Sequence, residues 1–185
     1  MAGVEMKKRE TAGEFMARLQ SDPEWVRQDA ERAAKHQAAV DKLQAEIKPE
    51  KDALLADLAA VGCRVSSVWD LVNSNSSYPE AIPVLCKHLQ LARHETMREG
   101  IVRALTVKEA CGIGGHLILA ELKRPPEENP DNVRWVLANA LTVVADKTMI
   151  EDIKTLLADP RYAEEHLILG KALKKLVGRK KQTPL

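Results

Sequence analysis

Aromatic residues are scarce in this chain: one Phe, two Tyr and three Trp among 185 residues, or 3%. Single-stranded nucleic acid is held by stacking bases on aromatic platforms, so that function class starts at a disadvantage. Net charge is lacking too. With 28 Lys and Arg against 27 Asp and Glu, the formal charge is +1, and no field steers the chain toward nucleic acid or anionic lipid. No run of about 18 apolar residues occurs, which excludes a membrane-spanning helix. The first residues, MAGVEMKKRETAGEF, contain no apolar stretch of the kind a secretory signal needs, so the cytoplasm is the expected compartment. Cysteine is limited to Cys63, Cys86 and Cys111. An odd number, widely spaced and without a CxxC pair, predicts buried free thiols in a reduced compartment rather than disulfides or a zinc site.

What the chain does contain points to helices. Its hydrophobic fraction is 45%, its charged fraction is 30%, and the apolar residues are mostly Ala, Leu and Val. Ala, Leu, Glu, Lys and Arg lose little on entering a helix. No segment alternates apolar and polar residues between hairpin turns, so the expected fold class is all-α.

The first part of the chain, 1–49, reads as a helical arm. Thr11 and Glu14 have capping-box spacing, and Asp22-Pro23 sets a cap before a proline at the first helical position. The long pattern that follows carries Val26, Ala30, Ala33, Val40, Leu43 and Ile47 as an approximate heptad seam, interrupted at Gln37. So narrow a stripe suits a helix lying along a surface. That surface belongs to the chain's own body or to another chain, and the first is the simpler arrangement. Pro49 is expected to interrupt or kink the helix. From residue 50 to 178 the pattern changes to short helices joined by short loops. Gly62 is placed as a C-cap, and Ser77 with Glu80 as a further capping box. The basic stretch 179–185 reads as a frayed tail.

Within 50–178 one phrase recurs. MREGIVRALT at 97–106 returns as VRWVLANALT at 133–142 and, degraded, as EHLILGKALK at 165–174. Ile101 aligns with Leu137 and Leu169, and Ala104-Leu105 with Ala140-Leu141 and Ala172-Leu173. Each copy follows a turn-rich stretch and is preceded by another amphipathic helix: EAIPVLCKHL, GHLILAELKR or MIEDIKTLLA. A two-helix unit repeated every 32 to 36 residues is the signature of an α-solenoid, because one such pair cannot bury its apolar face alone.

AIPVLCKHL followed by MREGIVRALT, and NPDNVRWVLANAL, resemble HEAT repeats. In these the first helix often carries an early Ala-Ile-Pro, and the second reads Val-Arg-x-x-Ala-x-x-Ala-Leu. Pro83, Met97-Arg98 and Val133-Arg134 occupy those positions. The third copy departs from the pattern with Glu165-His166, as a terminal repeat can. The resemblance covers Tyr78 to Val177, and residues 50–73 only loosely. Val68 to Asn73 with Tyr78-Pro79 is also similar to a segment of small bacterial HEAT-like proteins. This resemblance implies a right-handed solenoid of about four helix pairs, and a binding scaffold more readily than a catalyst.

No residue pattern supplies a reaction centre. CGIGGH at 111–116 lacks a phosphate loop's spacing and lysine, and reads as a turn whose small residues permit close packing. Cys86 and His88 point to different sides of a helix, while His94 and His116 fall in separate elements, so neither a metal nor any other cofactor is expected. No serine elbow or cysteine–histidine pair suggests a nucleophile. Trp69-Asp70 admits a glycosylase-like reading, in which tryptophan and aspartate surround an extruded base. The plainer reading is a buried tryptophan beside a solvated or capping aspartate. Arg98, Arg134 and His166 recur at one helical position: such a ladder suits an acidic partner or, more simply, bonds a neighbouring unit's loop.

The remaining stripe carries the functional expectation. Opposite the core residues of the second helices stand Glu99, Arg103 and Thr106, then Trp135, Asn139 and Thr142, then Leu167, Lys171 and Lys174. HEAT arrays line their concave side with second helices, and solenoids bind along that side. A mixed row centred on tryptophan suits a protein partner more than phosphate. The expected function is non-catalytic protein binding through Glu99, Arg103, Trp135, Asn139, Lys171 and Lys174, as an adaptor or as an immunity-type inhibitor. The alternatives are a nucleic-acid-binding or DNA-base-processing HEAT-like protein and, more remotely, a bilin-lyase-like repeat enzyme.

Overall fold

Nine α-helices and four short 3-10 turns account for nearly all of the described residues, 10–124 and 131–178 of the computed structural model, and no strand occurs among them. The contacts divide the chain into two compact units, Met1–Glu46 and Ile47–Leu185. None of the helices described is long and apolar enough to cross a membrane.

In the first unit, α1 (Ala12–Ser21) opens with the expected capping box. The Thr11 hydroxyl accepts from the Glu14 amide at 3.3 Å, and the Thr11 amide donates to the Glu14 carboxylate at 2.9 Å. Helix α2 (Pro23–Ala60) starts just after Asp22, whose Oδ1 accepts from the Glu24 amide at 2.9 Å. Neighbouring pairs support its exposed turns, among them Glu24–Arg27 and Asp29–Arg32. Along the seam Val26, Ala30 and Ala33 are exposed, and Val40 is half-buried.

Pro49 does not interrupt this helix, which runs on to Ala60. A proline inside a helix removes one backbone hydrogen bond and crowds the carbonyl four residues earlier. Burial on both sides of it offsets that cost: Ile47, Leu54 and Leu58 are all sunk in the second unit's core.

Gly62 ends α2 as predicted. At φ 86° it takes the left-handed conformation. Its amide donates to the Ala59 carbonyl at 3.0 Å, and the Cys63 amide reaches the Leu58 carbonyl at 2.9 Å. These two bonds make a Schellman motif, which satisfies carbonyls the helix would otherwise leave bare.

Short helix α3 (Val68–Val72) comes next. The expected capping box at Ser77 and Glu80 does not form. Pro79 begins a 3-10 turn, Pro79–Ala81, with Tyr78 at the cap position. Ser77 is thereby displaced by one residue, and its hydroxyl donates instead to Glu109 at 2.5 Å.

The repeated phrases all fall on helices: α4 (Ile82–Leu91), α5 (Glu95–Ala104), α6 (Ile113–Leu122), α7 (Asp131–Val144), α8 (Ile150–Ala158) and α9 (His166–Gly178). α4 packs on α5, α6 on α7, and α8 on α9. Across these pairs α5 packs on both α3 and α7, α7 on α9, and α4 on α6. Ile101, Leu137 and Leu169, the aligned apolar positions, are completely buried. So are Ala104 and Ala140, while Ala172 keeps 1% of its surface.

Close approach relies on glycine within CGIGGH. A Cβ at Gly115 would stand 2.5 Å from the Val144 carbonyl oxygen, so α6 can touch the end of α7 only where no side chain intervenes. The predicted tail, 179–185, lies outside the described residues.

Candidate functional site

Helix α7 buries Leu137, Ala140 and Leu141. Helical periodicity therefore turns Trp135, Asn139 and Thr142 toward its other side. Trp135 is 47% exposed, while Asn139 and Thr142 are half-buried. Helix α9 buries Leu169, Ala172 and Leu176 in the same way and leaves Leu167 72% exposed. Between the outer faces of these two helices lies a groove of about 530 Å³.

Trp135, Asn139, Thr142 and Val143 form one wall of this groove. Leu167, Ile168, Lys171 and Lys175 form the other, with Glu164 in the turn just before α9. Lys175 closes it at one end by donating to the Thr142 carbonyl at 2.7 Å. That carbonyl belongs to the last turn of α7, where unpaired carbonyls and the helix dipole favour a cation. Apolar and aromatic surface is thus flanked by charges of both signs.

Of the six residues expected to bind, the groove gathers Trp135, Asn139 and Lys171. Lys174 is exposed but is not part of the lining, and Lys175 occupies that place. Glu99 and Arg103 engage each other on α5 at 2.8 Å. The Arg103 guanidinium also lies 6.0 Å from the centre of the Trp69 ring, within reach of a cation–π contact. The expectation that Trp69 is buried is corrected here, since it remains 37% exposed. Gly100 lets α3 lie against α5: a Cβ there would come within 2.7 Å of Val68 Cγ1 and 3.6 Å of the Trp69 ring. Trp69 therefore rests on the side of α5 rather than beneath it.

Asp70 serves as a cap. Its carboxylate accepts from the Ser66 hydroxyl and amide, both at 2.8 Å, and from the Ser67 amide at 3.0 Å. These bonds, the Ser66 hydroxyl foremost, hold its pKa below the ordinary aspartate value.

The recurring arginines have structural duty. Arg98 and Arg134 are each only 7% exposed. Arg98 donates to Glu121 on α6 at 2.9 Å, and Arg134 donates to Glu165 at 2.7 Å and to the Arg161 carbonyl. Tyr162 packs against the Arg134 guanidinium at 5.2 Å, and its hydroxyl donates to the Leu122 carbonyl at 3.0 Å. His166, the third member of the series, is exposed.

The histidines make local bonds. His94 Nδ1 caps α5 by accepting from the Thr96 amide at 3.3 Å. His116 meets Thr148 Oγ1 at 3.1 Å, and His88 meets Asp57 at 2.9 Å. The described residues contain no cluster of three or more His, Cys, Asp or Glu that could hold a metal ion. Cys63, Cys86 and Cys111 are free thiols, but of the three expected to be buried only Cys86 is; Cys63 is half-buried and Cys111 is exposed.

Compared with protein-family models, curated proteins and solved structures, the chain matches none.

Lys175 and the Trp69–Arg103 contact escaped the sequence reading. Lys175 aligns with no distinctive residue in the other copies, and only its bond to α7 draws it into the groove. The Trp69 contact depends on Gly100, whose significance appears only when α3 is set against α5. The sequence also admits Trp135 folding over the loop at Pro125-Pro126, which lies outside the described residues.

Proposed function

We propose that residues 50–178 form a short HEAT-like solenoid that binds a protein partner without catalysis, acting in the cytoplasm as an adaptor or as an immunity-type inhibitor. The stacking of α5 on α7 and α7 on α9, beside paired α4/α5, α6/α7 and α8/α9, supports this architecture.

The observation that carries the binding reading is the pairing of Trp135 and Leu167. Both are large, exposed apolar side chains on rigid helices, and they line one groove. A partly open groove with an aromatic anchor and charged borders has the composition of an interface hot spot. Lys171, Lys175 and Glu164 along one wall suit a partner surface of mixed charge.

The test is Trp135→Ala in the full chain, used with wild type to capture partners from a cell extract. Binding of the captured protein should weaken by at least about 2 kcal/mol, roughly 30-fold, with the melting temperature nearly unchanged. A stable variant that binds at full strength would remove the groove from the proposal. DNA binding that falls steeply with salt would favour the nucleic-acid reading instead.

A further inference from the structure

A second pocket, about 270 Å³, lies where the end of α2 faces α4 and α5. Its lining is apolar except at two points, Glu50 and His88. His88 is already engaged: its Nε2 lies 2.9 Å from Asp57, which also accepts from Lys87 at 2.7 Å. Glu50 is half engaged. Its Oε1 accepts from the Arg93 amide at 3.3 Å, which ties the carboxylate to the turn between α4 and α5. Its Oε2 is buried and accepts a hydrogen bond from no described residue.

Buried oxygens of this kind nearly always find a donor, because leaving one bare forfeits its hydration. Here the carboxylate borders a space walled by Ala53 of α2, Leu91 of α4, and Met97 and Ile101 of α5. We propose that this pocket binds a small primary amine in its ammonium form, with the head on Glu50 Oε2 and an apolar body among those side chains.

Three features select that chemistry. A carboxylate bonds a cation about twice as strongly as a neutral donor, and more so beside low-dielectric walls. Only one oxygen lacks a donor, so the fork of a guanidinium finds no second acceptor, whereas an ammonium needs a single point of contact. The volume lies just below the roughly 300 Å³ at which drug-sized pockets begin, which limits the body to one ring or a short chain. None of this pocket's lining residues is shared with the α7–α9 groove, so the site stands or falls apart from the protein-binding reading.

The test uses full-length protein labelled with carbon-13 at its methionine methyls, titrated with benzylamine and, separately, with benzyl alcohol of nearly the same shape. Benzylamine should move the Met97 resonance saturably and leave Met16 and Met149 in place. Benzyl alcohol should bind at least about tenfold more weakly. Glu50→Gln should remove that tenfold preference for the amine, and Ala53→Leu, which fills the space from α2, should abolish both titrations. Should Glu50→Gln fail to give the wild-type circular dichroism spectrum, Glu50→Asp takes its place. It withdraws the charge by one methylene and should lower benzylamine affinity at least about threefold. The proposal is overturned by an absent Met97 shift at millimolar benzylamine, by equal affinity for amine and alcohol, or by undiminished amine binding in the folded Glu50 variant.

Discussion

Arg134 and Glu165 meet at 2.7 Å with 8% and 2% of their side chains exposed, a charge pair sealed between α7 and the turn before α9. Arg98 and Glu121 repeat the arrangement at 2.9 Å, with the same two exposures. Enclosed pairs of this kind add little net stability over a well-packed apolar substitute, yet losing one partner is costly. Glu165→Ala should therefore destabilise the protein by about 3–5 kcal/mol, since it removes the carboxylate that faces a buried guanidinium. Converting the pair together, Arg134→Met with Glu165→Leu, should cost much less. Urea midpoints decide the matter, and a double variant no more stable than the single one would show that the two charges are not coupled.

The helix register yields a second prediction. Ala140 is completely buried, whereas its neighbour Asn139 lines the groove. Ala140→Leu should overpack the contact around α7 and cost about 1–3 kcal/mol. Asn139→Leu should change stability by no more than about 0.5 kcal/mol. Denaturation curves in the reverse order would mean that α7 is rotated from the orientation described.

Two glycines should respond in opposite directions to the same substitution. A Cβ at Gly115 would press on the Val144 carbonyl and the Met149 side chain, while one at Gly170 on α9 would meet nothing within 4 Å. Gly115→Ala should cost about 1–3 kcal/mol through overpacking. Gly170→Ala should stabilise by about 0.5–1 kcal/mol, because alanine restricts the unfolded chain and suits a helix. Thermal unfolding of the two variants gives the comparison, and a stabilised Gly115→Ala would contradict the close approach of α6 to α7.

The cap of α3 predicts a pH dependence. The Ser66 hydroxyl, with the Ser66 and Ser67 amides, lowers the Asp70 pKa in the folded chain, while the unfolded chain keeps roughly 3.9. A carboxylate depressed by folding stabilises the protein above its unfolded value, and that contribution disappears as pH falls through the folded value. Wild type should thus exceed Asp70→Asn in stability by a constant margin from neutral pH down to about 5. The margin should narrow below about 3.9. A margin that widens on acidification would contradict the assigned sign.

Local chemistry explains which parts of the fold could be read in advance. The capping box at Thr11, the Schellman end at Gly62 and the buried alanines at 104, 140 and 172 depend on residues a few positions apart, or on the period of one helix. The all-helical fold follows from signals of the same kind. Long-range packing decided the remainder. Pro49 stays inside α2 because Leu54 and Leu58 find a core beyond it, and Ser77 turns to Glu109, 32 residues away. In the site, Trp135 and Asn139 were legible because α7 repeats the phrase of α5. Lys175 was not, since its role depends on a carbonyl of another helix. The Glu50 pocket draws on three elements, and no single stretch of sequence foreshadows it.

A chain that writes MREGIVRALT and VRWVLANALT within one domain risks threading either helix into the other's berth during folding. One glycine distinguishes the two berths, although each offers its arginine a buried glutamate. Helix α5 carries Gly100 where α7 carries Val136, and a Cβ at Gly100 would come within 2.7 Å of Val68 Cγ1. In the place of α5, α7 would drive the Val136 side chain into α3. Volume refuses that exchange, so two nearly identical helices are sorted into their own places.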